Sequence, residues 1–248
     1  MTKSPYLSII IPAYNEAERL PKTLLDVDFH LSQHAREVPS YEIIVVDNNS
    51  QDATLEIVRR FQSLINNLFV IQCSVQGKGA AVKKGMQHAR GNIRIFMDAD
   101  NSTTFDHFFT MQEHLHGGHD VVIASRQHPD SRLSPPQPFH KQLLGKAGNL
   151  LIQKVLLDGI RDTQCGFKAF THRAAEKLFE DMSTEGWGFD IEILARAKKH
   201  NLKIREIPIT WVNDERTSVT LSSYPKTLAE LFRIKRKVKK EYGGVPQE

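Results

Sequence analysis

Apolar runs of strand length alternate with stretches of helical periodicity through the first half of the chain, the pattern of a parallel sheet covered by helices. Leu7–Pro12 (LSIIIP) reads as a buried strand, and Asn15 to about Leu31 as a helix. Glu42–Val46 (EIIVV) predicts a second strand, followed by a helix with Val58, Phe61 and Ile65 on one face. Leu68–Gln72 predicts a short strand, Ala80–Ala89 a helix, Asn92–Met97 a strand and Val121–Ala124 another. Two places break the rhythm. Gln127–Phe139 (QHPDSRLSPPQPF) predicts a loop, and His140–Leu157 after it a strongly apolar helix carrying Leu143, Leu144, Ala147, Leu150, Leu151, Val155 and Leu156. From Pro225 the chain reads as a basic helix with Leu228, Leu231, Phe232 and Val238 on one side. We expect one α/β domain over 1–224 and a basic C-terminal helix or tail over 225–248.

Composition changes this picture little. A chain of 248 residues, 40% hydrophobic and 25% charged, can bury a full core and is expected to be ordered over most of its length. The net charge of +4 is too small to imply a nucleic-acid partner, but it is unevenly spread, with RIKRKVKK at 233–240. Cys73 and Cys165 form no CxxC pair, which favours a reducing, cytoplasmic setting. No stretch approaches the roughly 18 apolar residues of a membrane span, and Met1–Pro5 lead straight into a strand without a secretory leader. Work at a membrane is therefore expected from its surface.

The chemistry-bearing residues gather where strands end. Asp98 and Asp100 follow the Asn92–Met97 strand, two apart on an extended chain, so both point the same way. An oxygen pair at the carboxyl edge of an α/β sheet suits Mg²⁺ or Mn²⁺; alternatively both acids cap turns. In Pro12-Ala13-Tyr14-Asn15-Glu16, Asn15 with Glu18 reads as a capping box and Glu16 suits the helix end. Tyr14 is left over, an amphipathic ring suited to a nucleobase or ribose. Asp47 sits one residue earlier than a cap requires and is placed to accept from a base N–H or a ribose hydroxyl. Gly77-Lys78-Gly79 opens a helix without Walker A or GxGxxG spacing: either a diphosphate seat or a plain glycine turn. Asp162–Lys168 reads as a polar turn between helical regions, and Trp187–Glu192 opens a further helix, with Asp190 and Glu192 either acid–base groups or helix-start acids. His114, His116 and His119 flank Gly117-Gly118, a helix C-terminus rather than a metal site.

In order, IIIPAYNE, VVDNNSQDAT, GKGAA, FMDAD, ASR, DTQCGFKAF and WGFDIE resemble the family 2 inverting glycosyltransferases. Within them the likeness, from Leu7 to Trp211, is greatest to the dolichyl-phosphate β-glucosyltransferases, with the mannosyltransferases as near relatives. The resemblance implies an A-type glycosyltransferase fold, with a Rossmann-like, mostly parallel central sheet flanked by helices. It implies that Pro12, Ala13, Tyr14 and Glu16 line the nucleoside pocket and that Asp47 contacts the base. Asp98 and Asp100, with Ala99 between them, would hold Mg²⁺ or Mn²⁺ against the diphosphate. Arg126 would face the acceptor or donor phosphate, and Lys78 or Arg126 would balance charge on the leaving group. Gln164 and Asp190 would lie near sugar and acceptor, Asp190 as base if the acceptor is a hydroxyl.

The implied partners are a nucleotide-sugar donor, UDP-glucose favoured, and a polyprenyl-phosphate lipid. GDP-mannose, UDP-N-acetylglucosamine, a sugar hydroxyl acceptor, a sugar nucleotidyltransferase and a non-catalytic nucleotide-sugar sensor stay as alternatives. Two departures stand out. Ser102 replaces a glutamine that adds a metal contact in some relatives, and the N-terminal membrane anchor of eukaryotic members is not seen. Attachment to a membrane surface is then expected through the basic tail and the 143–157 helix, which alternatively forms a homodimer interface.

Overall fold

The computed structural model of the chain describes residues 4–134, 148–212 and 223–242. Seven strands form the central sheet: β1 (Leu7–Ala13), β2 (Tyr41–Asp47), β3 (Leu68–Gln72), β4 (Ile93–Met97), β5 (Val121–Ser125), β7 (Phe167–Thr171) and β8 (Ile204–Pro208). A separate ribbon pairs β6 (Arg132–Ser134) with β9 (Thr210–Val212). The helices are α1 (Leu20–Gln33), α2 (Thr54–Phe61), α3 (Lys78–His88), α4 (His107–His116), α5 (residues 148–155), α6 (His172–Phe179), α7 (Phe189–Lys199) and α8 (Ser223–Tyr242).

The sheet order is β3-β2-β1-β4-β7-β5-β8, parallel throughout except for β7, which is antiparallel to both β4 and β5. β1 is buried along its whole length, as a strand covered on both faces must be. Its side chains alternate: Ile9 and Ile11 join the core under α1, α2 and α4, and Ile10 joins the core under α3, α6 and α7. The anticipated mostly parallel α/β sheet flanked by helices is the fold found.

Several boundaries differ from the sequence pattern, each for a local reason. α1 starts at Leu20 with Pro21 in its first turn, not at Asn15, so the expected capping box does not form. Asn15 instead has positive φ, and its amide and side chain are spent on Ser50 and Gln51. α2 ends at Phe61, which leaves Ile65 beyond the helix but still in the same core. The largest miss is Phe167–Thr171, whose first two residues fall in the expected 162–168 turn and which is found as a central strand. Its alternation is real, with Phe167 and Ala169 on one core and Phe170 on the other, but Lys168 occupies an inward position and disguises it. β8 and β9 were not anticipated, and β6 lies inside the expected 127–139 loop. Residues 135–147, with the first half of the anticipated 140–157 helix, lie outside the described residues; α5 buries Ile152 and leaves Leu150 and Leu151 exposed.

The 225–248 segment, as far as it is described, belongs to α8, whose Leu231, Ile234 and Val238 are buried in the core with α7. Leu231→Ala should therefore cost about 2–5 kcal/mol in denaturant unfolding, whereas Phe232→Ala on the exposed face should change stability by less than about 0.5 kcal/mol. Equal small losses at both positions would mean that the helix is only loosely docked.

Candidate active site

Strand order reverses about β1, with β2 and β3 to one side and β4 onward to the other. Such a switch point opens a crevice at the carboxyl ends of the strands. The exits of β1 (Tyr14–Ala17) and of β4 (Asp98–Ser102) meet there because the two strands are paired neighbours. The first exit is stitched to the loop after β2: Glu16 N–H donates to Thr54 Oγ1 at 2.8 Å, and Ala17 N–H to Asp52 Oδ2 at 3.1 Å. Asn15, Asn49 and Asn101 all take positive φ at these exits, a conformation asparagine tolerates better than other residues with a Cβ.

Pro12 and Ala13 are buried in the crevice floor, while Tyr14 is 47% exposed, a free ring at the crevice edge. Asp47 is buried, and its Oδ1 accepts from Ser50 N–H at 3.3 Å. Glu16 is gripped by Arg19 at 2.5 Å, yet burial, reinforced by the charges of Asp100 and Asp98, pushes its pKa up to about 6. These three acids therefore share one field.

Asp98 leaves β4 with its N–H donating to Gly166 O at 2.9 Å, and its carboxylate lies flat over Gly166: a Cβ added there would sit 1.9 Å from Asp98 Oδ2. Ala99 is buried and its carbonyl accepts from Thr23 Oγ1. Asp100 Oδ1 accepts from Ser102 N–H at 2.9 Å, so the turn-capping reading holds for this oxygen. Burial and the neighbouring Asp98 charge raise the Asp100 pKa, the repulsion that a bound cation removes. Among the described residues no group of three or more His, Cys, Asp and Glu side chains is placed to hold a metal ion. The donor chemistry still fits a hard divalent ion, which needs only one or two carboxylates when substrate phosphates and water complete its shell.

GKG proves to be a packing motif as well as a helix start. Gly77, at φ 135°, abuts the Glu185 carbonyl, Gly77 N–H donates to Asn48 Oδ1, and Ala80 N–H donates to Glu185 O. Those two amides are therefore already taken, and the Lys78 ammonium is the charge this turn offers to an anion. Its Nζ lies 2.5 Å from Asp98 Oδ1 and 5.0 Å from the Trp187 ring centre.

Arg126 is committed to Asp162, with Nε to Oδ2 at 2.7 Å and Nη2 to Oδ1 at 2.9 Å, and its guanidinium lies over Trp211. It stands close enough to Asp98 to feel its charge, but Asp162 holds its fork. Gln164 is half-buried in the loop that Asp162 caps, its N–H donating to Asp162 Oδ1. Burial pushes the Cys165 thiol up to about 12, which removes it as a nucleophile. Asp190 is closed off from solvent: side-chain exposure is 2% for it and 0% for Lys168, whose Nζ lies 2.5 Å away. Burial raises the Asp190 pKa, with Lys168 and Lys78 pulling against it. Glu192 is likewise buried, paired with Arg196 and Lys237 and capping Ser183 and Thr184, so it is structural.

Sequence reasoning gave no site role to Gly166, Lys168, Asp162 or Trp187. Only the exposed Trp187 carried a visible signal, a large apolar residue between two glycines. The loop bearing it is fixed by α8: Glu230 Oε2 accepts from Gly188 N–H at 3.0 Å.

Gly166→Ala should leave the fold intact, because only the end of the Asp98 side chain has to move, and yet lower turnover about a hundredfold, the usual cost of a displacement near 1 Å. Unchanged turnover would show that the Asp98 pose is irrelevant. Asp190→Asn or Lys168→Met alone should destabilise by about 3–5 kcal/mol, since each strands a buried charge, and Lys168→Met with Asp190→Leu should recover much of that loss in urea unfolding.

Comparison with known proteins agrees with this geometry. Residues 8–179 match the family described as Glycosyl transferase family 2. The dolichyl-phosphate beta-glucosyltransferase of Dictyostelium discoideum is 34% identical over 241 residues, covering 93% of this chain and 74% of its own. That of Trichomonas vaginalis is 33% identical, covering 92% and 72%, and the human enzyme 31% identical, covering 84% and 68%. Among solved structures, Mycobacterium tuberculosis glucosyl-3-phosphoglycerate synthase, crystallised with Mn²⁺, UDP-glucose and phosphoglyceric acid, shares the fold with a TM-score of 0.68 at 18% identity, covering 98% of this chain and 82% of that one. A switch-point crevice holding DAD, PAYNE and GKG, and relatives alike over most of their length, place the chain in glycosyl transferase family 2.

Proposed function

We propose that the protein transfers glucose, with inversion, from UDP-glucose to the phosphate of a polyprenyl or dolichyl carrier at the cytoplasmic face of a membrane. The observation that carries the reading is Lys78 resting on Asp98, with Asp100 two residues on, at the β1/β4 switch point, a set suited to a nucleoside diphosphate. The names of the curated relatives supply the sugar and the lipid. Tyr14 is the exposed ring against which base or ribose would lie, and Asp47 the carboxylate beside it. Asp98 and Asp100 would hold Mg²⁺ or Mn²⁺, which when bound supplies charge neutralisation at the leaving diphosphate. Lys78 adds a second positive charge to the same end of the donor, and the Arg126–Asp162 pair fixes the loop that carries Gln164.

A phosphate acceptor with a second pKa of about 6 is largely ionised at neutral pH and attacks without a strong base. That agrees with Asp190 being locked to Lys168, where it positions the β7 and α7 elements that flank the site. A sugar hydroxyl acceptor would require a base that the buried pair does not offer.

Attachment is assigned to the outer face of α8, where Phe232, Arg233, Lys235, Arg236, Lys239 and Lys240 are exposed. Among the described residues no helix is long and apolar enough to cross a membrane.

Two measurements test the reading. With Mn²⁺ and short-chain polyprenyl phosphate, UDP-glucose should be turned over faster than GDP-mannose or UDP-N-acetylglucosamine, and the corresponding free alcohol should not be glucosylated. Faster transfer from GDP-mannose, or efficient transfer to the alcohol, would overturn donor or acceptor respectively. Replacing Lys235, Arg236, Lys239 and Lys240 by Ala should lower flotation with phosphatidylserine liposomes by about three orders of magnitude in partition coefficient, at about 1 kcal/mol per charge. Undiminished flotation would remove α8 from the membrane.

A further inference from the structure

Among the described residues the cation in contact with Asp98 is Lys78, not Arg126. Both fork nitrogens that Arg126 presents to Asp162 are satisfied there, whereas Lys78 Nζ rests on Asp98 Oδ1 at 2.5 Å, with side-chain exposures of 13% and 36%. The carboxylate also packs directly on the Gly166 backbone, which closes one of its faces. Trp187 covers Lys78 at 5.0 Å, and its loop is pinned through Gly188 to Glu230 on α8. Lys78 itself starts α3 on a turn whose Gly77 and Ala80 amides are spent on Asn48 and Glu185. What remains adaptable is its flexible four-carbon stem, with a compact charge that changes partner easily.

We propose that Lys78 is a built-in counter-ion that blocks Asp98 against a bare divalent cation and gives it up only when nucleotide phosphates offer the ammonium another partner. The proposal rests on the reading of Asp98 and Asp100 as metal-holding acids. The ammonium occupies a lone pair of Asp98 Oδ1 and repels a dication brought to the same carboxylate, so the Lys78 contact and the entry of a bare metal ion oppose each other. The nucleotide resolves the competition, because its phosphates attract both charges at once. Metal and donor then bind as one unit, and the free enzyme keeps Asp98 paired without sequestering metal.

The test is Mn²⁺ binding to the full chain, read by the loss of the free-ion EPR signal, with and without UDP. Wild type should bind bare Mn²⁺ weakly and gain strongly on adding UDP. Lys78→Met and Lys78→Gln should both bind bare Mn²⁺ about tenfold tighter or more, within the usual range of coupled sites, and gain less from UDP. Lys78→Arg, which keeps the charge, should stay near wild type. Bare Mn²⁺ affinity that is unchanged or weaker in both Met and Gln variants, with UDP-dependent binding still present, overturns the counter-ion role alone. Adding Asp98→Asn to Lys78→Met should abolish the tight binding; if that binding persists, the ion sits elsewhere and the proposal falls. If no variant, wild type included, takes up Mn²⁺ even with UDP, the metal reading fails with it.

Discussion

Asp98 is where it is because β7 runs the wrong way. In a sheet of otherwise parallel strands, the antiparallel insertion between β4 and β5 delivers the start of β7, and the loop before it, to the carboxyl end of β4. Met97 pairs with Phe167, so the next residue on each strand, Asp98 and Gly166, continues the ladder with a backbone hydrogen bond. The absence of a Cβ at Gly166 then lets the carboxylate lie on the backbone. Everything else at the site is arranged around that contact: Lys78 on one oxygen, the Arg126–Asp162 pair holding the loop, and the Asp100 turn beyond.

The same insertion explains a costly choice in the core. Lys168, next but one to Gly166, points inward and is fully buried, where an apolar residue would be cheaper. It is satisfied by the Cys165 carbonyl and by Asp190, and its ammonium lies 5.3 Å from the Phe96 ring centre. A buried ion pair contributes little net stability but fixes geometry, because each partner is strongly penalised if the other shifts. Lys168–Asp190 thus ties β7 to the first turn of α7, and with Arg126–Asp162 it fixes both sides of the 162–166 loop.

The fold class was legible because it depends on period and order. Strand-length apolar runs between helical stretches are a property of the sequence itself, and β1 to β5 lie close to where the pattern puts them. What was hidden was whatever depends on contact between distant segments. Phe167–Thr171 carries a lysine at an inward position, and only the presence of Asp190 across the core makes that position a strand position. The glycines of GKG look like a phosphate turn, but Gly77 is required by the Glu185 carbonyl, a neighbour 108 positions along in sequence that no local pattern reveals. Asn15 satisfied the local rule for a helix cap, yet the loop after β2 competes for its groups and wins. Asp98, Asp100, Tyr14 and Asp47 were picked out from their places at strand ends, and the topology brings those ends together. How Arg126 and Asp190 are engaged was out of reach, since each is defined by a partner, Asp162 or Lys168, with no sequence signal of its own.

The C-terminal helix links these two levels. Its inner face supplies Leu231, Ile234 and Val238 to the core, and Lys237 and Glu241 to the buried Glu192–Arg196 pair. Glu230 caps α7 at Gly188, so close that a Cβ on Gly188 would fall 2.6 Å from Glu230 Oε2. Its outer face is the strongest concentration of positive charge on the chain. A helix built this way is not a detachable tether: its surface cations and the Trp187 loop beside Lys78 are held by one rigid element. The charge on the outer face can therefore be altered without disturbing the core, whereas removing the helix would take the support of the 183–188 loop away with it.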